Sequence, residues 1–211
     1  MIGIFMKKTS IAVAIFIACF GCVANASPIT SLQTTVVPMP KLEFVLASGT
    51  VTQAPGITWK GDGGIFGFTG DYSFGTNGVW VGTPPFAAID KESGSMKFSF
   101  DNPVYAVGGL INYEPGNSNS PVISIYDSSN NLIESTRLSF STNGIGQFHG
   151  FQLADPLISS FQLSGSFIAL RNLTVLASTP LAPVPEPETY AMLLAGLGLM
   201  ATVARRKRRV H

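Results

Sequence analysis

The sequence predicts an all-β sandwich, and three observations carry that prediction. Glycine (22), proline (14) and phenylalanine (15) are abundant among the 211 residues, while charged residues make up only 12%. That composition suits a turn-rich, apolar-cored β protein better than a helical or disordered one. From Lys41 to Val175 short apolar or alternating runs are separated by Gly, Asn, Asp, Ser and Pro, the rhythm of strands and turns. No helical period of useful length interrupts them.

Residues 1–26 read as a secretory signal. Lys7 and Lys8 form its charged start, Ile11 to Phe20 its apolar stretch, and Ala24-Asn25-Ala26 a small-x-small cleavage site that leaves Ser27 first. The apolar stretch is shorter than the roughly 20 residues a span needs. The residues before Cys19 and Cys22 match a lipoprotein signal poorly. Export through the Sec machinery is therefore expected, and both cysteines leave with the signal. The exported product then holds no cysteine, which excludes disulfides, thiolate metal sites and a cysteine nucleophile.

Residues 27–178 form the body. In Met96-Lys97-Phe98-Ser99-Phe100 the large apolar side chains take one face, and Lys97 and Ser99 the other. Val122-Ile123-Ser124-Ile125-Tyr126 and Leu132-Ile133-Glu134-Ser135 flank Asp127-Ser128-Ser129-Asn130-Asn131. Those five tolerate left-handed backbone and bond their own backbone, so a five-residue hairpin loop is expected. Phe161-Gln162-Leu163-Ser164 repeats the alternation. A sandwich of about eight to ten strands fits a body of this size without a disulfide.

Residues 179–188 are a Pro-rich linker that contains Pro185-Glu186-Pro187. Its prolines fix φ and withhold backbone donors, which keeps the segment extended and out of helices and sheets. Residues 189–204 are apolar on all faces and 16 long, about 24 Å as a helix against a hydrocarbon core of roughly 30 Å. Tyr190 at the outer interface and snorkelling arginines at the inner end make up part of the mismatch, so a single transmembrane helix is expected. Residues 205–211 carry the block Arg205, Arg206, Lys207, Arg208 and Arg209, which argues for a cytoplasmic C-terminus and an exported body. Residues 27–184 hold ten acids against six bases, a net of −4. With no basic stripe for phosphates, nucleic acid is excluded as a partner.

Val184-Pro185-Glu186-Pro187-Glu188-Thr189-Tyr190, the apolar run that follows and the basic block Arg205 to Arg209 closely resemble the PEP-CTERM protein-sorting tail of Gram-negative bacteria. That tail is also labelled an ice-binding protein C-terminal domain. The resemblance implies recognition of Pro185, Glu186 and Pro187 by exosortase, an integral membrane cysteine protease-transpeptidase of bacteria that make extracellular polysaccharide. It implies a precursor held in the inner membrane and a product at the cell surface or beyond. The segments Phe68 to Trp80, Val107 to Gly116, Ile125 to Ser135 and Ser159 to Ser164 look like the body of one recurrent group of such proteins. That second likeness implies a jelly-roll-like sandwich and brings no established activity.

Catalytic patterns are scarce. The exported part has one histidine besides the terminal His211, namely His149, and neither H-E-x-x-H nor G-x-S-x-G occurs, so metalloprotease and esterase readings lose their basis. Glycoside hydrolysis needs only two carboxylates, and the body's acids leave it open. Of the ions, Ca²⁺ suits the acidic loops Asp62-Gly63-Gly64, Asp90-Lys91-Glu92 and Asp127 to Asn131, with plain turn chemistry as the competing reading and no cofactor otherwise expected. Trp59, Tyr72, Trp80, Tyr105 and Tyr113 pose the choice between core and a sugar-stacking platform, with Trp59 and Trp80 the candidate glycan contacts. The threonines are too scattered for an ice-binding array. The expected function is an exported, exosortase-sorted surface or matrix protein without enzymatic activity that binds or is attached to exopolysaccharide. The alternative is a small secreted glycan-active enzyme.

Overall fold

The computed structural model describes residues 26–42, 46–47, 49–117 and 120–177. The expected signal before Ala26, the linker, the C-terminal helix and the basic tail lie outside the described residues. Among the described residues no helix is long and apolar enough to cross a membrane.

Eight strands make the central ribbon: β8 (Phe86–Ile89), β9 (Gly94–Val104), β10 (Ala106–Tyr113), β11 (Val122–Tyr126), β12 (Leu132–Arg137), β13 (Gln147–Gln152), β14 (Ile158–Gly165) and β15 (Ile168–Leu176). They pair β8 with β15, β9 with β14, β10 with β13 and β11 with β12, every pair antiparallel. Rolled up, the ribbon gives one sheet in the order β13-β10-β15-β8 and a second in the order β12-β11-β14-β9. That is the jelly-roll arrangement.

Shorter strands widen both sheets. β1 (Ser27–Ile29) adds to β13, while β5 (Gly64–Phe68) and then β2 (Leu46–Ala47) add beyond β8, giving seven strands. β4 (Ile57–Gly61) and then β3 (Thr50–Ala54) add beyond β9, giving six. A small hairpin of β6 (Tyr72–Ser73) and β7 (Val79–Trp80) stands apart. The described strands outnumber the eight to ten expected because these early ones are two to five residues long in Gly- and Pro-rich sequence. Such stretches read as turns until a sheet edge distant in the chain pairs with them.

The main core lies between the two sheets. Alternation sends Met96, Phe98 and Phe100 of β9 and Phe161 and Leu163 of β14 inward, to meet Val107, Ile111, Phe151 and Leu170 of the facing sheet. The seven-stranded sheet is covered on its outer side as well. There Ile65, Phe86, Ala88 and Ala169 pack beneath Tyr72, Phe74 and Trp80 of the excursion between β5 and β8. With both faces buried, Gly64–Phe68 and Phe86–Ile89 need not alternate.

This flap is held by aromatic edges and by one asparagine. Phe74 and Trp80 meet edge-on at 4.9 Å, Trp80 and Phe86 at 5.4 Å, geometries that the ring quadrupoles favour. Asn77 is fully buried. Its amide donates to the carbonyls of Tyr113 (3.0 Å) and Phe140 (3.4 Å), and its side-chain oxygen accepts from the Thr142 amide (3.2 Å). One side chain thus ties the flap to β10 and to the segment before β13.

Both tryptophans named as glycan contacts are core residues, which corrects that expectation. Trp59 is 0% exposed and Trp80 2%. Trp59 points inward from β4 onto Phe66, 5.0 Å away, while Trp80 lies under the Arg171 guanidinium at 4.4 Å. Neither ring offers a face to a sugar. Tyr72 and Tyr113 are buried as well, and Tyr105 is half-buried.

Candidate functional site

The inward set of the six-stranded sheet determines its outward set. Because Trp59, Met96, Phe98, Phe161 and Leu163 face the core, their neighbours Thr58, Lys60, Ser95, Lys97, Ser99 and Gln162 face out. Register then aligns them across the strands. Thr50, Lys60, Lys97, Gln162 and Ser124 form one row, and Thr52, Thr58, Ser99, Ser160 and Tyr126 the next. Together with the Gly61–Gly63 turn they shape an open groove of about 620 Å³, within the size range of small-ligand sites. Its side-chain lining is hydroxyl, amide and ammonium, with the single carboxylate of Asp62.

Lys60 and Lys97 are directly opposite across β4 and β9, an arrangement of like charges that costs stability in a sheet. Lys97 is held in place, its Nζ donating to Asn130 Oδ1 at 2.9 Å and lying 4.7 Å from the Tyr126 ring centre. Neither neighbour neutralises it. Lys60 is exposed, and its ammonium makes no hydrogen bond or ion pair among the described residues. The acid among the lining residues is Asp62, at the rim, and its carboxylate sits 3.0 Å from the Lys91 ammonium.

The aspartates of the acidic loops expected to suit Ca²⁺ have protein donors as partners. Asp62 pairs with Lys91, and Asp90 accepts from the Tyr72 hydroxyl at 3.0 Å. Burial, helped by the Asp90 charge, pushes the Tyr72 phenol well above its ordinary pKa. Asp127 accepts from the Ser129 and Asn131 amides and from the Asn131 side chain at 2.8–2.9 Å. Those bonds, that of the Asn131 side chain foremost, hold its carboxyl below the usual range. Among the described residues no group of three or more His, Cys, Asp or Glu is gathered for a metal. His149 stacks on Phe140 at 5.0 Å with its buried Nε2 unpartnered among the described residues, and burial lowers its pKa.

Of the residues singled out in the sequence, Ser27 opens β1 opposite Gln152 and Ala26 precedes it, half-buried. Ala24, Pro185, Glu186, Pro187 and Arg205 to Arg209 lie outside the described residues. The groove residues went unrecognised, although the polar half of Met96 to Phe100 already contained Lys97 and Ser99. What was missing was the register that sets Lys60 and Gln162 beside them.

Residues 183–209 match the family model of the PEP-CTERM protein-sorting motif. The motif indicates an exported protein whose precursor passes the membrane and is sorted to the cell surface by exosortase. Pro185, Glu186, Pro187 and the block Arg205 to Arg209 all fall inside the match. No curated protein matches the chain.

Proposed function

We propose that this exosortase-sorted protein is a non-enzymatic component of the cell surface or extracellular matrix, and that its sandwich holds extracellular polysaccharide in the groove of the six-stranded sheet. The observation that carries the reading is the lining itself. Thr50, Thr58, Ser95, Ser99, Gln162 and two lysines present donors and acceptors suited to sugar hydroxyls, on strands whose inward neighbours are locked in the core. Binding here rests on hydrogen bonds rather than on ring stacking. A glycosidase needs two carboxylates flanking the scissile bond, and among the described residues the groove is lined by one, Asp62, already engaged by Lys91. That supports binding over cleavage.

The test is a glycan array probed with the full chain, together with a reducing-end assay on every glycan retained. Retention without release of reducing ends is the expected result. Release of reducing ends would establish the glycan-active enzyme instead.

A further inference from the structure

We infer that the ligand of this groove is an acidic polysaccharide, one bearing uronate carboxylates, read by the facing pair Lys60 and Lys97. The inference rests on the groove being a polysaccharide site and names the class of polysaccharide.

The charge distribution points there. Residues 27–184 are net negative at −4, yet two of their six basic side chains stand opposite each other in this one groove. A cross-strand pair of like charges is unfavourable in the free protein, and a carboxylate between them turns that repulsion into two attractions. Lys97 is kept in position by Tyr126 and Asn130, neither of which carries a compensating charge. Lys60 is left without a partner among the described residues. Asp62, at the rim, is held by Lys91, so it does not oppose an incoming anion at full strength.

The remaining lining selects among polyanions. Compact ammonium groups accept a carboxylate without requiring the planar fork that arginine offers, and Thr50, Thr58, Ser95 and Ser99 surround them with hydroxyls for the sugar ring. Single-stranded nucleic acid binds through aromatic faces on which bases stack. No aromatic ring is among the groove's lining residues: the two tryptophans are buried, and Tyr126, in the adjoining row, has the Lys97 ammonium over its ring.

Calorimetry on the full chain in non-ionic detergent tests this with three probes. They are oligogalacturonate, neutral oligogalactan of the same length, and a single-stranded DNA oligomer of the same charge. Oligogalacturonate should bind, and more weakly as salt screens the charges. Replacing a charge-assisted contact by a neutral one in Lys60→Gln should weaken it about tenfold. Lys41→Gln removes the same charge beside β5, in the other sheet, and should leave affinity unchanged. Equal affinity for the neutral oligomer, with Lys60→Gln unaffected, would overturn the acidic assignment while the polysaccharide reading stands. Binding to none of the glycans would overturn both. DNA bound as tightly as oligogalacturonate would make the groove a general polyanion site and overturn the glycan assignment.

Discussion

Trp59 illustrates how much of this protein is decided by single side chains. Its indole is fully buried against Phe66, and Gly61 and Gly64 leave the room it fills: a Cβ on Gly64 would sit 3.0 Å from the ring and 2.7 Å from the Ala88 carbonyl. Emptying that space in Trp59→Ala should cost about 3–5 kcal/mol, read as a lower midpoint in urea. A variant within about 1 kcal/mol of the parent would mean that the ring is not in the core, since surface changes fall in that range. The inward position was legible in principle, because Ile57-Thr58-Trp59-Lys60 alternates and Lys60 must face water. Trp80 offered no such clue. Its neighbours Val79 and Val81 are 46% and 65% exposed, an inversion of ordinary hydrophobic order that follows from the flap folding over a sheet face built partly by Ala169, far along the chain.

Among the elements, the 127–131 loop was legible and the flap was not. The loop joins β11 to β12 with the expected five residues. Its chemistry is local: Asn130 has a φ of 60° and Asp127 bonds the amides of Ser129 and Asn131, both properties of those residue types. The flap depends instead on Asn77 finding Tyr113, Phe140 and Thr142, 36 to 65 residues away. Asn77→Ala leaves those buried groups short of partners, which costs about 1–3 kcal/mol. Hydrogen exchange should then quicken at the amides of β6 and β7 while those of β9 and β14 keep their protection. Uniform quickening, or none, would show that Asn77 does not hold the flap.

At the scale of the whole molecule the two chain directions converge. Ser27 pairs with Gln152, Gln152 with Ala106 and Ala106 with Leu176, one row across four strands and about 14 Å wide at ordinary strand spacing. Ser27 and Leu176, in the first and last described strands, therefore lie at one end of the seven-stranded sheet. The groove opens on the outer side of the other sheet. The sandwich class was legible from alternation and composition, and the sorting tail from three contiguous local features. Sheet order was not, because β8 pairs with β15 and β9 with β14 through registers that no local pattern records. The groove shares that origin, since its rows exist only once β4, β9 and β14 are aligned. Delivery of this body by its sorting tail to the polysaccharide outside the cell joins the proposed role of the groove to that of the tail. Its most direct test is an immunoblot against the body in inner-membrane, cell-surface and polysaccharide fractions of the host, with and without its exosortase. With the enzyme, a shortened body should be found with the polysaccharide, and without it, uncut chain should remain in the inner membrane. The same length and distribution in both strains would show that the tail does not deliver the body.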